Sequence, residues 1–192
     1  EQSVHKALPI WSHMANENWC MIGYHSVSVL ADAVAKGLPL DKEEVLKAMV
    51  SSSTIPYLDG TGEYMEKGYV ALDHNGSAAS LTLEYAYDDW TIYHTALLAG
   101  NRSVADTYKK RAANYTNVFD TNMGYARPRY ADGRWKENFN LLNTHGEGFI
   151  EGNALNYSFY VPQDVDNMIR LMGGDKSFVS KLDSLFTMHL PA

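Results

Sequence analysis

Residues 147–164 read EGFIEGNALNYSFYVPQD, and this stretch concentrates the groups best suited to chemistry. Glu147 and Glu151 stand four apart, and Gly152 and Asn153 follow the second acid directly. Phe149, Ile150, Tyr157, Phe159 and Tyr160 crowd around them. A solvated loop has no use for so much aromatic surface, and a plain core segment has no use for Glu151 and Asn153. A carboxyl held beside aromatic surface has its neutral form favoured, because desolvation penalises the charge. A general acid needs that form at neutral pH. Gly152 lets the backbone turn tightly beside the acid, and Asn153 can orient it. The same spacing also suits a glutamate that only caps a helix beginning near residue 153.

A second set of acids, Glu84, Asp88 and Asp89, lies inside the apolar stretch SAASLTLEYAYDDWTIYHTALLAG, residues 77–100. Glu84 and Asp88 are four apart and share a helix face. An ionised carboxylate buried there costs several kcal/mol unless it is paired or hydrogen-bonded. These acids therefore either brace neighbouring loops or point into a polar cavity. Of the seven histidines, none pairs with another at metal-ligand spacing and no H-E-x-x-H is present. His25, in GYHSV at the start of an apolar run, is the one placed to reach a site. GTGEY at 60–64 lacks the third glycine and the preceding strand of a dinucleotide fingerprint. The single cysteine, Cys20, lies in an apolar run and reads as buried rather than nucleophilic. N-x-S/T sequons at Asn75, Asn101, Asn114 and Asn156 read as chance occurrences.

The elements that must position these groups read as helices. MIGYHSVSVLADAVAKG (21–37) is apolar on nearly every face and stops at Gly37. DKEEVLKAMVSS opens with Asp41 and Glu44 at capping-box spacing and carries Val45, Leu46, Met49 and Val50 as a stripe. Residues 77–100, SVADTYKKRAANYTNVF, DVDNMIRLMGG and DKSFVSKLDSLF continue the pattern. GYARPRYADGRWK (124–136) gives the best strand signal, a small hairpin turning at Asp132-Gly133. Ordered loops are expected at 52–76 and 137–150. Several helices are apolar nearly all round and so must be covered on both sides. Inner helices wrapped by outer ones, an α/α toroid, meet that demand better than a four-helix bundle.

Bulk properties narrow the partners. The chain has 192 residues, a formal net charge of −7 with interspersed signs, and one cysteine, so a basic nucleic-acid surface and an internal disulfide are excluded. No apolar run reaches the roughly 18 residues of a membrane span. The start, EQSVHKALPIW, has neither initiator Met nor signal-peptide pattern and reads as the middle of something longer. Thirteen tyrosines and four tryptophans, mostly beside polar residues, suit sugar rings or amphipathic pockets.

Four blocks, LPIWSHMANENWCMIGYHSVSVLADAVAKG, SLTLEYAYDDW, NVFDTNMGYARPRYADGRWKE and EGFIEGNALNYSFYVPQDVDNMIRLMGGDKSFVSKLDSLF, occur in this order. Together they resemble the catalytic region of the bacterial α-mannosidases of glycoside hydrolase family 92. The resemblance implies that residues 1–192 are the middle part of a single (α/α)6 catalytic domain. It places an N-terminal β-sandwich and the C-terminal part of the barrel outside this chain. It implies an all-α partial toroid of antiparallel helix pairs with one small β-hairpin. It further implies inverting, calcium-dependent exo-α-mannosidase activity, commonly on α-1,2 linkages, in a periplasmic, cell-surface or secreted bacterial enzyme of carbohydrate metabolism. The family's E-G-N-A-W-Q-Y motif falls on Glu151, which would be the general acid. Its W-D-T-Y/F-R and G-N-[DE]-D-x-G-Q blocks, the second carrying the general base, are outside this chain, as the calcium ligands are expected to be. Leu155 and Asn156 stand where the family has Trp and Gln. His25, Asp88, Asp89, Glu147, Asn153 and Tyr157 are the candidate substrate-binding residues. The expected partners are a mannose-containing glycan and the remaining segments of the parent enzyme. A non-catalytic glycan-binding or structural toroid module, or a toroid glycosidase for another sugar, are the competing readings.

Overall fold

The computed structural model describes residues 22–144 and 146–189. Within them α1 (Ser26–Ala35), α2 (Lys42–Ser52), α3 (Thr61–Lys67), α4 (Ala78–Leu98) and α5 (Arg102–Arg111) are followed by a 3-10 helix, Asn114–Val118. A two-stranded antiparallel sheet, β1 (Phe119–Asp120) and β2 (Tyr125–Ala126), comes next, then α6 (Ala154–Tyr157), α7 (Val165–Leu171) and α8 (Asp175–Thr187).

α4 is the axis of the fold. Its alanines, leucines and tyrosines are buried on nearly all faces, and it packs against α1, α2 and α5. One apolar cluster, with Tyr24, Val27, Met49, Tyr64, Leu81, Tyr85, Ile92 and Tyr108, lies on the side of α1, α2, α3 and α5. The other, with Leu83, Tyr115, Phe149, Ala154, Val161, Met168 and Met172, lies on the side of α6 and α7. Short connections pair α1 with α2, α4 with α5 and α7 with α8. Each connection carries a glycine at positive φ (Gly37, Gly100, and Gly173 with Gly174), the conformation in which a helix stops most cheaply.

Caps fix where the helices begin. The Asp41 carboxylate accepts from the amides of Glu43 (2.9 Å) and Glu44 (3.2 Å), which satisfies two of the four free N–H groups of α2. At the start of α4 the carbonyl of Gly148 takes the amides of Ala79 (2.9 Å) and Ser80 (3.1 Å). The Ser80 hydroxyl in turn accepts from the amide of Ile150 (3.1 Å). The loop that carries Glu147 and Glu151 is thereby tied to the N-terminus of the central helix. Gly148 has φ +86°, and a Cβ there would lie 2.7 Å from Pro128 Cβ, so no other residue fits unstrained.

The structure departs from the sequence reading at four places. The first helix among the described residues begins at Ser26 rather than at residue 21, because Gly23 has φ +86°, outside the helical conformation. The loop at 52–76 contains α3, a helix bracketed by left-handed Gly60 and Gly68; GTGEY is its first turn. The helix expected through residue 119 breaks after Arg111 into the 3-10 turn, which lets the Tyr115 hydroxyl reach Asp164 (2.7 Å). The hairpin ladder sits earlier than expected, pairing Phe119 with Ala126 and Asp120 with Tyr125. Asp132-Gly133 does turn the chain, but it closes only a single bridge, Arg129 to Trp135. Pro128 offers no amide there, and the Arg127 guanidinium takes the Lys136 carbonyl in place of a ladder bond (2.9 Å from Nε).

Candidate active site

Three side chains on successive turns of α4 and the loop before α1 form a polar cluster. His25 lies between two acids, with Nδ1 2.8 Å from Asp88 Oδ1 and Nε2 3.2 Å from Glu84 Oε2. Asp88 is fully buried, and its other oxygen accepts from the Tyr24 amide at 2.8 Å. Glu84 lies at the cluster's margin, where the Tyr157 hydroxyl approaches Oε1 at 3.5 Å and where burial first, then the charge of Glu84, raises the pKa of Tyr160. Burial alone would lower the His25 pKa, but the hydrogen bonds and charges of Asp88 and Glu84 raise it to about 10. His25 is an imidazolium at neutral pH. Burial pushes the Asp88 carboxyl up to about 6, against the pull of that imidazolium. Gly23 is required by this geometry: a Cβ there would stand 3.0 Å from both Asp88 Oδ2 and His25 Nε2.

Glu151 makes no hydrogen bond or ion pair to this cluster among the described residues, although its charge is felt at Tyr157. It has φ +50°, a left-handed backbone rare for a residue with a side chain, and it is exposed. Asn153 fixes the turn behind it. The Asn153 side chain accepts from the Asn156 amide (3.2 Å), while Asn156 Oδ1 accepts from the Asn153 amide (2.8 Å), a reciprocal cap for α6. The Tyr157 hydroxyl is pushed up to about 12 by burial first, then by Glu84, with Glu151 adding in the same direction.

The structure brings together His25, Asp88 and Tyr157 of the expected residues, and adds Glu84 and Tyr160. Asp89, Glu147 and Asn153 are placed elsewhere. Asp89 points away from His25, toward Tyr24, Tyr64 and Arg111, which occupy both its oxygens. Glu147 is buried and braces its loop, accepting from Asn143 Nδ2 (3.1 Å) with Lys136 Nζ 3.6 Å away. Asn153 caps α6 through its Oδ1. Glu151 lacks the burial that the aromatic setting suggested, because Phe149 and Tyr157 turn inward and leave its carboxylate in the open. Cys20, His5, His13 and His145 lie outside the described residues. Among the described residues no group of three or more His, Cys, Asp or Glu side chains is placed to hold a metal ion.

The sequence model of the glycosyl hydrolase family 92 catalytic domain matches residues 1–191. A family GH92 α-mannosidase from Bacteroides thetaiotaomicron is 40% identical, with a TM-score of 0.90, over 98% of this chain and 25% of its own. Its complex with mannoimidazole gives a TM-score of 0.91 at 38% identity, over 98% of this chain and 26% of its own. A family GH92 inverting mannosidase of the same species is 34% identical, with a TM-score of 0.82, over 90% of this chain and 24% of its own. A fungal relative, an uncharacterized secreted glycosidase of Arthroderma benhamiae, is 26% identical over 88% of this chain and 27% of its own length. The chain belongs to glycosyl hydrolase family 92, and its helix pairs are part of an (α/α)6 toroid. It spans about a quarter of the length of the relatives it matches.

Proposed function

We propose that this chain is a middle part of the catalytic domain of a secreted, inverting exo-α-mannosidase that acts on α-1,2-linked mannose. Glu151 is the general acid in this reading. The observation that carries it is the backbone at that residue: an exposed glutamate at φ +50°, two residues before the Asn153 cap. Strain of this kind persists only where the surroundings impose it, and it clusters at functional sites. The carboxylic acid would give its proton to the glycosidic oxygen as the bond to the departing sugar breaks.

The Glu84, His25 and Asp88 cluster forms the polar wall of the sugar site. Glu84 supplies acceptor oxygens for hydroxyl groups, and the His25 imidazolium keeps that acid from being an unpaired charge in a dry pocket. Inversion requires a second carboxylate about 6.5–9.5 Å from the first, so that a water fits between them. In this reading that base belongs to the family's G-N-[DE]-D-x-G-Q block, outside this chain, and the calcium ligands are likewise expected from other segments of the parent enzyme. No step assigned to the described residues depends on the metal. No helix among the described residues is long and apolar enough to cross a membrane.

The full-length polypeptide incubated with α-1,2-mannobiose should release mannose as the β-anomer, seen directly by NMR before mutarotation. Release should fall when calcium is chelated. The α-anomer as first product would contradict inversion, and cleavage indifferent to chelation would remove the calcium requirement. A second reading rests on Leu155, which is buried, and Asn156, which is consumed by the cap: a site built to bind glycan without cleaving it. Saturable mannobiose binding with no release would favour that reading.

A further inference from the structure

Asp88 and Asp89 are both fully buried, and both hold the same short segment of chain. Neighbouring residues on a helix point about 100° apart, so two adjacent acids ordinarily serve different partners. Here Asp88 takes the Tyr24 amide and the His25 imidazole, while Asp89 takes the Tyr24 hydroxyl at 2.7 Å. The second Asp89 oxygen accepts from Arg111 Nε and from the Tyr64 hydroxyl, each at 2.9 Å. Arg111 Nη2 then donates to the Tyr24 oxygen and to the Ser53 carbonyl, each at 3.0 Å. The Tyr24 hydroxyl is therefore filled as donor and as acceptor. Its ring lies on Tyr85 at 4.9 Å and 12°. Arg111 is itself held over the faces of Tyr108 and Tyr64.

This arrangement is costly as a stabilising device. A buried ion pair repays its desolvation only when the geometry is excellent, and apolar replacements often do as well. What such a network supplies is a fixed position, and the position fixed here is that of Tyr24. The next residue along is His25, partly exposed, with Glu84 on its outer nitrogen. The groups facing His25 are Asp88 and Glu84 from α4 and the Tyr24 backbone; Tyr160 joins through Glu84.

We propose that Tyr24, Asp89 and Arg111 form a buried positioning unit that sets the His25 imidazole against Glu84 at the sugar-binding wall. The three are positioning residues, since their side-chain hydrogen bonds run to one another and to Tyr64 and Ser53, not to Glu84 or the His25 ring. The proposal rests on the site assigned above, but its decisive readout does not require catalysis.

The test follows the histidine Cε1 signals of the ¹³C-labelled full-length polypeptide through a pH titration, with His25 assigned by its loss in His25→Gln. Tyr24→Phe keeps the ring stack and removes only the hydroxyl. It should lower the His25 midpoint by about one pH unit, and kcat/KM on α-1,2-mannobiose by about tenfold. Asp89→Asn should do the same, and it decides the question if Tyr24→Phe does not fold. Tyr108→Phe removes a buried hydroxyl of the same network, the one bonded to Ser53, without touching the segment that holds His25. It should lower Tm and leave the His25 midpoint where it is. If Tyr24→Phe and Asp89→Asn titrate at His25 as wild type does, the unit is only structural and the proposal is overturned. Absence of mannose release from wild type would sink the enzymatic reading alone, because the His25 titration would still decide the positioning.

Discussion

His25 carries its charge because two acids one helical turn apart converge on one ring. Its folded pKa, about 10, lies above the unfolded value of 6.5. The clamp's contribution to stability is therefore fully present below about pH 6.5 and is lost as pH rises through 10. Wild type should lose Tm between pH 7 and 10 more steeply than His25→Gln, and parallel scans across that range check it. A Tm loss of equal slope in both proteins would mean that the ring is not clamped. Spacing alone makes Glu84 and Asp88 share a face, so their meeting was readable in the sequence. The partner of Asp89 was not readable, because it depends on Arg111, which stands 22 residues away and reaches it only after α5 packs on α4. The cap made by Asn153 was not readable for a related reason: an Asn before a helix can hold a ligand or cap the helix, and the cap shows only once the Asn156 amide is in place. Glu151 was singled out through the family resemblance and its Gly-Asn neighbours, whereas its positive φ leaves no trace in composition.

At the scale of elements, the site depends on how loops are tied to α4. Gly148 touches Pro128 and gives its carbonyl to the first amides of α4, so Gly148→Ala should cost about 1–3 kcal/mol through left-handed strain. The same change should lower kcat/KM because it displaces the strand of chain that leads to Glu151. Asp41→Ala is the contrast. It removes the cap of α2, should cost about 1 kcal/mol, and should leave kcat/KM unchanged. Urea melts and initial rates on both variants separate the two effects, and a rate loss in Asp41→Ala would show that α2 is coupled to the site. The long helices were legible because apolar stripes, caps and terminal glycines agreed along them. α3 was not, since seven residues between two glycines give too short a stripe. The small sheet was misplaced because Asp-Gly marks a turn but cannot reveal that Arg127 and Pro128 deny it a ladder.

For the molecule as a whole, the helix pairs leave apolar surface in solvent. Phe186 is 84% exposed and Val179 53%, both on α8, a helix without a buried residue. Surface of this kind on one element marks a contact face. The 192-residue chain expressed alone should self-associate at micromolar concentration in sedimentation velocity, and Val179→Glu with Phe186→Glu should reduce that association; a single monomeric species in the unsubstituted chain would contradict it. The toroid as a class was legible from helices that are apolar all round, which need cover on both sides. The most direct test of the account concerns the proton that Glu151 is assigned to give. The full-length polypeptide and its Glu151→Gln variant should be compared on α-1,2-mannobiose and on 2,4-dinitrophenyl α-mannoside, whose leaving group departs without protonation. The account predicts a loss of about a thousandfold or more on the disaccharide and a far smaller one on the activated mannoside. Equal losses on both substrates, or no loss on the disaccharide, would contradict the assignment of Glu151 as the general acid.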